Sequence, residues 1–223
     1  MKRTLEPEVM DTPEEADSYD AMDHSGPNEA FVARLLELVG PRGFPGGRIL
    51  DIGTGPGHIP LLIVERLPGA HVVGIDLAEN MLRHARAKQA RSPHRARLEF
   101  RRADAKGLDF PAASFDAVLS NTILHHIPDP RPFLAEARRV LKPGGVLLIR
   151  DLYRPPTPER ARELVLEHAA DASPMQQELF QASLHAALEP DELRALARDA
   201  GLVDFEVTID SDRHMSLQVR TGR

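Results

Sequence analysis

An acid followed by three glycines at alternate positions is the first feature of this chain that could do chemistry: Asp51-Ile52-Gly53-Thr54-Gly55-Pro56-Gly57-His58. Glycines at this spacing let a loop fold tightly and let a ligand approach the backbone with no Cβ in the way. A helix starting near Pro56 would turn its free N–H groups and its positive end into the same space. A second acid, Asp76, ends the apolar run HVVGID at 71–76. An acid at the end of the second strand of a parallel sheet is placed to hold ribose hydroxyls. Together the two features point to a cofactor that carries a nucleoside. Two common nucleotide patterns fail. Gly-x-Gly-x-x-Gly needs a small residue where His58 stands, and no Gly-Lys-Ser/Thr ending follows.

Groups able to move protons come later: the adjacent His125 and His126, then Asp151, Tyr153, His168 and His185. There are 0 cysteines, which removes thiolate nucleophiles, thiolate zinc sites, iron–sulfur ligation and disulfides. Among 10 histidines no His-x-x-x-His pair has an acid nearby, so no zinc site is expected.

These residues need a scaffold. Short apolar runs at 48–52, 71–76, 97–104, 115–121 and 146–152 read as strands. Helical periodicity fills the intervals at 28–39, 58–67, 78–90 and 130–141. Gly40–Gly47 stops the first of these helices, and Lys142–Gly145 stops the last. Strict alternation of this kind means parallel strands joined by helical crossovers. From 153 to 200 only helices are legible, the last opening at Pro190 and ending at Gly201. Runs at 203–210 and 214–220 then alternate around a short turn and predict an antiparallel hairpin. Residues 1 to about 16, with Pro7, Pro13 and the acids Asp11, Glu14, Glu15 and Asp17, read as a solvated tail. The expectation is one α/β domain with a doubly wound, mostly parallel sheet of seven strands. A helical insertion precedes strand six, and the C-terminal hairpin is antiparallel.

With Lys plus Arg at 28, Asp plus Glu at 34 and a formal charge of -6 over 223 residues, the chain lacks the surplus positive charge of a nucleic-acid coat. Trp is 0 and aromatics are 4%, so base-stacking platforms are poorly provided for. The basic stretch at 83–102 reads as the solvated face of a helix and a strand edge. Neither a signal peptide nor an apolar run of about 18 residues is seen, so a soluble, cytoplasmic protein is expected.

At this point the sequence resembles the class I S-adenosylmethionine-dependent methyltransferases, in the small-molecule branch that includes quinone-biosynthesis enzymes. Five motifs stand in family order: LDIGTGPG at 50–57, VVGIDLAENML at 72–82, RRADAKGLDF at 101–110, FDAVLSNTILHHIPDP at 115–130 and RRVLKPGGVLLIRD at 138–151. The resemblance covers about residues 45–152 and implies a Rossmann-like fold, with S-adenosylmethionine as cofactor and S-adenosylhomocysteine as product. It implies that Gly53, Thr54, Gly55 and Gly57 line the methionine end of the cofactor and that Asp51 orients its ammonium. Asp76 would take the ribose hydroxyls, Leu77 and Met81 the adenine, and Asp104 beside Ala105 the adenine amino group. Asn121 would lie near the sulfonium, and Tyr19 in an N-terminal lid, residues 1–27, would fold over the cofactor. Residues 28–223 would form the methyltransferase domain, with an acceptor-site insertion at about 153–188.

The implied reaction is in-line methyl transfer to oxygen, nitrogen or carbon of a small or medium-sized metabolite. His125 and His126 are the catalytic candidates, with packing or a place beside the cofactor as their alternative. Tyr153, Arg154, His168 and His185 are candidates for the acceptor pocket. Magnesium-dependent relatives hold their ion with acids after strand four; HHIPDP offers only Asp129, so no metal is expected. Strand four lacks the Pro-Pro-aromatic motif of enzymes that methylate amino groups of nucleic acids. A non-catalytic S-adenosylmethionine-binding protein remains the alternative of another class, together with methylation of RNA or protein. Aminopropyl transfer and hydride transfer are disfavoured, the first by the lack of an acid cluster after strand four and the second by His58. Both monomer and homodimer stay open.

Overall fold

The computed structural model describes residues 1–7, 11–40 and 46–219. Residues 41–45 of the expected stop, and Arg220 of the expected last strand, lie outside them. Strands β1 (Arg48–Ile52), β2 (His71–Asp76), β3 (Leu98–Arg102), β4 (Phe115–Asn121) and β5 (Leu141–Leu152) are joined by helices α3 (His58–Arg66), α4 (Glu79–Arg91) and α5 (Pro130–Val140). Helix α2 (Ser25–Val39) leads into β1. After β5 come α6 (Pro158–His168), α7 (Pro174–Ala186) and α8 (Pro190–Asp199), then β6 (Phe205–Ile209) and β7 (His214–Val219).

The sheet has seven strands in the order β3-β2-β1-β4-β5-β7-β6. The first five are mutually parallel, and β7 runs antiparallel to both β5 and β6. Strand order therefore reverses between β1 and β4, and a crevice opens beyond their carboxyl ends. Side chains alternate across the pleat. Leu50, Ile52, Val73, Ile75, Val118, Leu147 and Ile149 pack under α5 and α8. Ile49, Val72, Ala117, Leu119, Val146 and Leu148 pack under α2, α3 and α4. Both faces are buried, which is why the central strands read as continuous apolar runs. The inserted pair α6–α7 has its own small core of Leu152, Ala161, Leu164, Val165, Leu184 and Ala187.

Several boundaries shift by one to three residues, α2 starting at Ser25 rather than 28, and two departures are larger. Strand β5 starts at Leu141 rather than 146, because Leu141 pairs with Phe115 and the register then shifts to Val146–Ala117. Gly144, at φ 71, takes up the extra length as a bulge. The second difference is larger. The expected solvated tail contains helix α1 (Pro13–Ala21), with Thr12 and Glu15 forming a reciprocal capping box and Pro13 in the first turn. Ala16 of α1 is fully buried against Ala78 and Met81. Residues 1–7 are held as well: Arg3 donates to the carbonyls of Ala186 (2.6 Å), Ile127 (3.0 Å) and Pro128 (3.2 Å), and Thr4 N donates to His185 O at 3.0 Å. Among the described residues no helix is long and apolar enough to cross a membrane.

His214, at the start of β7, is only 9% exposed. Burial first, then the positive charges of Arg150 and Arg213, push its imidazole down to about 3. The folded value lies below the unfolded one of about 6.5, so its contribution to stability is full above that value and falls as pH drops toward 3. His214→Asn should therefore lose less stability than the parent between pH 7 and about pH 5, measured as urea midpoints at the two values.

Candidate functional site

The crevice at the switch point is a cavity of about 150 Å³, bounded on one side by the glycine loop. Gly53, Gly55 and Gly57 have φ of 73°, 52° and 80°, a region closed to most side chains. Their reasons differ. A Cβ on Gly53 would run into the Ile123 side chain, and one on Gly57 would come within 2.9 Å of the Phe100 ring and 3.0 Å of Ala85 Cβ. Gly57 thus serves the packing of α3 on α4 and β3, and it does not border the cavity. Gly55 does, with nothing nearer to its missing Cβ than the Tyr19 ring at 4.0 Å.

Asp76 fixes the loop. Its Oδ2 accepts from Gly55 N at 2.8 Å and its Oδ1 from Ala78 N at 2.9 Å, at the mouth of α4. Burial pushes this carboxyl upward, and the three backbone donors around it only offset that in part. Asp51 lies deeper, 1% exposed, and accepts from Thr54 Oγ1 at 2.7 Å. Burial raises it to about 7 against that hydrogen bond, with Asp76 adding to the rise. Asp51, Thr54 and Gly57 stand behind the cavity wall rather than in it.

Of the other residues expected to bind cofactor, Tyr19, Leu77, Met81, Asp104, Ala105 and Asn121 all border the cavity. Tyr19 reaches it from α1 and stacks on His24 with ring centroids 4.4 Å apart. Asp104 is drawn to the mouth by Lys106, whose backbone N and Nζ lie 2.9 and 3.1 Å from Oδ1. Burial would raise the Asp104 carboxyl, but these contacts outweigh it and hold it low. Asn121, the last residue of β4, turns a buried Oδ1 into this region with no hydrogen-bond partner.

The two histidines separate. His126 borders the cavity and His125 does not. They share a 3₁₀ turn, Leu124–His126, that follows Thr122 at φ 62. His125 is 2% exposed, with Nδ1 2.5 Å from Asp151 Oδ1 and Nε2 3.4 Å from Glu6 Oε1. Burial works to lower this imidazole, but Asp151 and then Glu6 outweigh it and hold it above its ordinary value. Asp151 also accepts from the backbone of Leu124, His125 and Leu152, and so ties the turn to β5. His126 is pushed down to about 4 by burial and by the charge on His125.

The four acceptor-pocket candidates are not brought to the cavity. Tyr153 Oη donates to Asp212 O at 2.8 Å, and His168 Nε2 lies 2.5 Å from Asp212 Oδ2 at the surface. Arg154 is buried, donating to Ala187 O and Glu192 Oε1, both at 2.9 Å. His185, on α7, has a buried Nε2 without a partner. Sequence reasoning missed Glu6, whose Oε1 is 3.2 Å from His126 Nδ1 and whose Oε2 accepts from Ser183 Oγ at 3.3 Å. It also missed Thr122, Ile123 and Lys106 in the cavity wall; they lie within the matched motifs but carry no signal of their own.

Two groups among the described residues stand close enough to share an ion: Glu6 with His125 and His126, and the exposed Glu167 with His168 and Asp212. In the first, His126 Nδ1 faces the Pro7 carbonyl at 3.3 Å. A carbonyl oxygen only accepts, so this nitrogen carries a hydrogen and not a free lone pair. The basic stretch at 83–102 is largely engaged within the chain: Lys88 pairs with Asp20, Arg86 with Glu79, Arg101 with Glu99, and Arg97 bonds the carbonyls of Val64, Leu67 and Ala70.

A family profile described as a methyltransferase domain matches residues 50–149. Demethylmenaquinone methyltransferase of Thermus thermophilus is 44% identical over 119 residues, which are 53% of this chain and 52% of that enzyme. Demethylmenaquinone methyltransferase of Clavibacter sepedonicus is 34% identical over 170 residues, covering 72% of this chain and 67% of that one. The chain thus spans about half the length of the first of these relatives and two thirds of the second. Among solved structures, phosphoethanolamine N-methyltransferase 2 of Haemonchus contortus in complex with S-adenosyl-L-methionine superposes with a TM-score of 0.68 at 26% identity, over 88% of this chain and 43% of that one.

The strap of residues 1–7 meets the turn that carries His126 chiefly through Arg3. Arg3→Ala strips hydrogen bonds from four carbonyls and should cost about 1–3 kcal/mol of stability, read from denaturant midpoints. Amide exchange should quicken at 124–128 while the central strands keep their protection.

Proposed function

Because the chain belongs to the class I S-adenosylmethionine-dependent methyltransferase family, we propose that it transfers a methyl group from S-adenosylmethionine to a small or medium-sized metabolite. The observation that carries this reading is the pairing of Asp76 with the Gly55 amide at the strand-order reversal, beside a glycine whose missing Cβ leaves the cavity open. The family's cofactor fits what the cavity offers. Asp76 would hold the ribose hydroxyls, Leu77 and Met81 the adenine ring, and Asp104 with Ala105 its amino edge. Asp51 and Thr54, behind the loop, would orient the methionine ammonium through the carboxylate. The unpartnered Asn121 Oδ1 stands where a polar group of the cofactor or acceptor would satisfy it. Tyr19, carried by α1, would close over the loop as part of a lid formed by residues 1–27.

The cofactor supplies an already activated methyl group. The protein's task is then to align acceptor oxygen, nitrogen or carbon in line with the breaking bond and to keep water away; holding two reactants in place is worth about 7–11 kcal/mol. The acceptor would enter beside His126, on the side of the cavity bounded by Ile123 and Ile127. The names of the relatives, both demethylmenaquinone methyltransferases, support a metabolite over RNA or protein as acceptor. We extend the reading to a monomer or homodimer acting in the cytoplasm; the net charge of -6 supports only its working without nucleic acid.

Asp76→Asn keeps the shape but removes the charge, and should weaken S-adenosylmethionine binding at least about tenfold in calorimetry; unchanged affinity removes the cofactor assignment. Asp51, raised to about 7, must ionise to meet the cofactor's ammonium. Binding near pH 6 should release a proton, measured in buffers of different ionisation enthalpy, and Asp51→Asn should abolish that release.

A further inference from the structure

Helix α1 carries Tyr19 into the cavity wall, yet little apolar surface holds it there. Of its 9 residues only Ala16 is buried, against Ala78 and Met81. A helix this short does not stand alone in water. What docks it is a row of acids, in and just before α1, on a row of polar residues. Asn80, His84 and Lys88 stand four residues apart on α4 and so share one face. Asn80 N and Nδ2 donate to Asp11 at 2.9 and 2.8 Å, His84 Nε2 lies 2.8 Å from Asp17 Oδ1, and Lys88 Nζ donates to Asp20 Oδ1. Asp20 takes a partner from a third element as well: His58 Nε2, from the first residue of α3, lies 2.9 Å from the same oxygen. Lys88 also donates to Pro56 O at 3.2 Å, inside the glycine loop. His58 is the residue that breaks the dinucleotide pattern, and this contact gives it a use.

Asp20 stands against the preference of its own helix. It lies in the last turn of α1, where a negative charge meets the negative end of the helix dipole, and that turn holds no basic residue. What offsets this is tertiary. Burial works to raise the Asp20 carboxyl, but Lys88 and then His58 outweigh it and hold it low. Asp17 is 63% exposed and Asp20 22%, so water screens the outer pair and the inner one carries the docking. We propose that Asp20 is a positioning residue for Tyr19: through Lys88 and His58 it latches α1 shut against the glycine loop, and the latch sets how fast a bound cofactor leaves. The inference rests on the methyltransferase reading above. The Tyr19 ring stands 4.0 Å from where a Cβ of Gly55 would be, so a ligand drawn to that loop meets the ring. Its exit waits on α1 lifting, and α1 lifts only when the Lys88 and His58 contacts break together.

The test measures release and motion on the same samples of the full chain. Radiolabelled S-adenosylmethionine, chased with excess S-adenosylhomocysteine, should leave Asp20→Ala at least about tenfold faster than the parent. Lys88→Met should speed release as well, and adding it to Asp20→Ala should bring no more than about a twofold further change, since the partner is already gone. With no ligand present, Asp20→Ala should quicken amide exchange across 16–22 at least about tenfold while β1 and β2 keep their protection. Alanine favours helix more than aspartate does, so the faster exchange reports the lost latch and not a weaker helix. In a Tyr19→Ala background, Asp20→Ala should no longer change release. Unchanged release or unchanged exchange across α1 overturns the proposal, and so does a Tyr19→Ala background in which Asp20→Ala still speeds release. If Asp20→Ala does not fold, Lys88→Met decides by the same readings. A parent that binds no S-adenosylmethionine loses the methyltransferase reading and the exit role with it, while the exchange result still decides whether Asp20 holds α1 down.

Discussion

A carboxylate withdrawn from water has to find donors, and Asp76 finds them on two sides at once. One oxygen takes the amide of Gly55 and the other that of Ala78. These bonds join the end of β2 to the loop after β1 and to the first turn of α4, the three pieces of chain that form one wall of the cavity. The same strand holds the loop again where Gly53 N and Thr54 N donate to Ile75 O at 2.8 and 2.9 Å, and Thr54 Oγ1 ties it back to Asp51. The glycine loop is therefore organised from its neighbouring strand. Positive φ values at its glycines are the conformational condition for those bonds, and an acid at 76 is the electrostatic one.

The opposite wall obeys the same logic with a different acid. Asp151, on β5, gathers the amides of Leu124, His125 and Leu152 and the His125 ring. A buried ion pair is weak evidence for net stability, because two charges must be desolvated to make it. What it achieves here is geometry: the 3₁₀ turn is fixed to β5, and His126 is left facing the cavity. The two buried acids divide the labour, Asp76 shaping the glycine-loop wall and Asp151 the wall that carries His126.

Much of this could be read from the residues. Strand and helix alternation was legible because strands buried on both faces are apolar throughout and their helices are amphipathic, and all of the cavity wall except Tyr19 falls within the ordered motifs between 50 and 130. Helix α1 was readable in principle. Thr12-Pro13-Glu14-Glu15 is a capping box with proline in the first turn, but its acids suit a solvated segment equally well. The bulge in β5 hid behind Pro143, Gly144 and Gly145, which look like a stop because the strand resumes only after Gly144 has turned. Arg154 and Tyr153 look like pocket residues in sequence, and local sequence cannot tell that Glu189, Glu192 and Asp212 already satisfy them. Glu6 was beyond reach for a plainer reason. Its partners lie on the far side of the sequence, and no pattern of period two or 3.6 connects them.

That separation bears on the order in which the molecule assembles. The hydrogen bonds of residues 1–7 to other segments are with 125–128, 156 and 183–186, among the longest loops the chain has to close. Loop closure grows only slowly more costly with length, yet no such contact forms until both ends have found their places. The strap's partners come from both the turn after β4 and the inserted helices, so it can dock only on a domain that is otherwise complete and is among the last segments to settle.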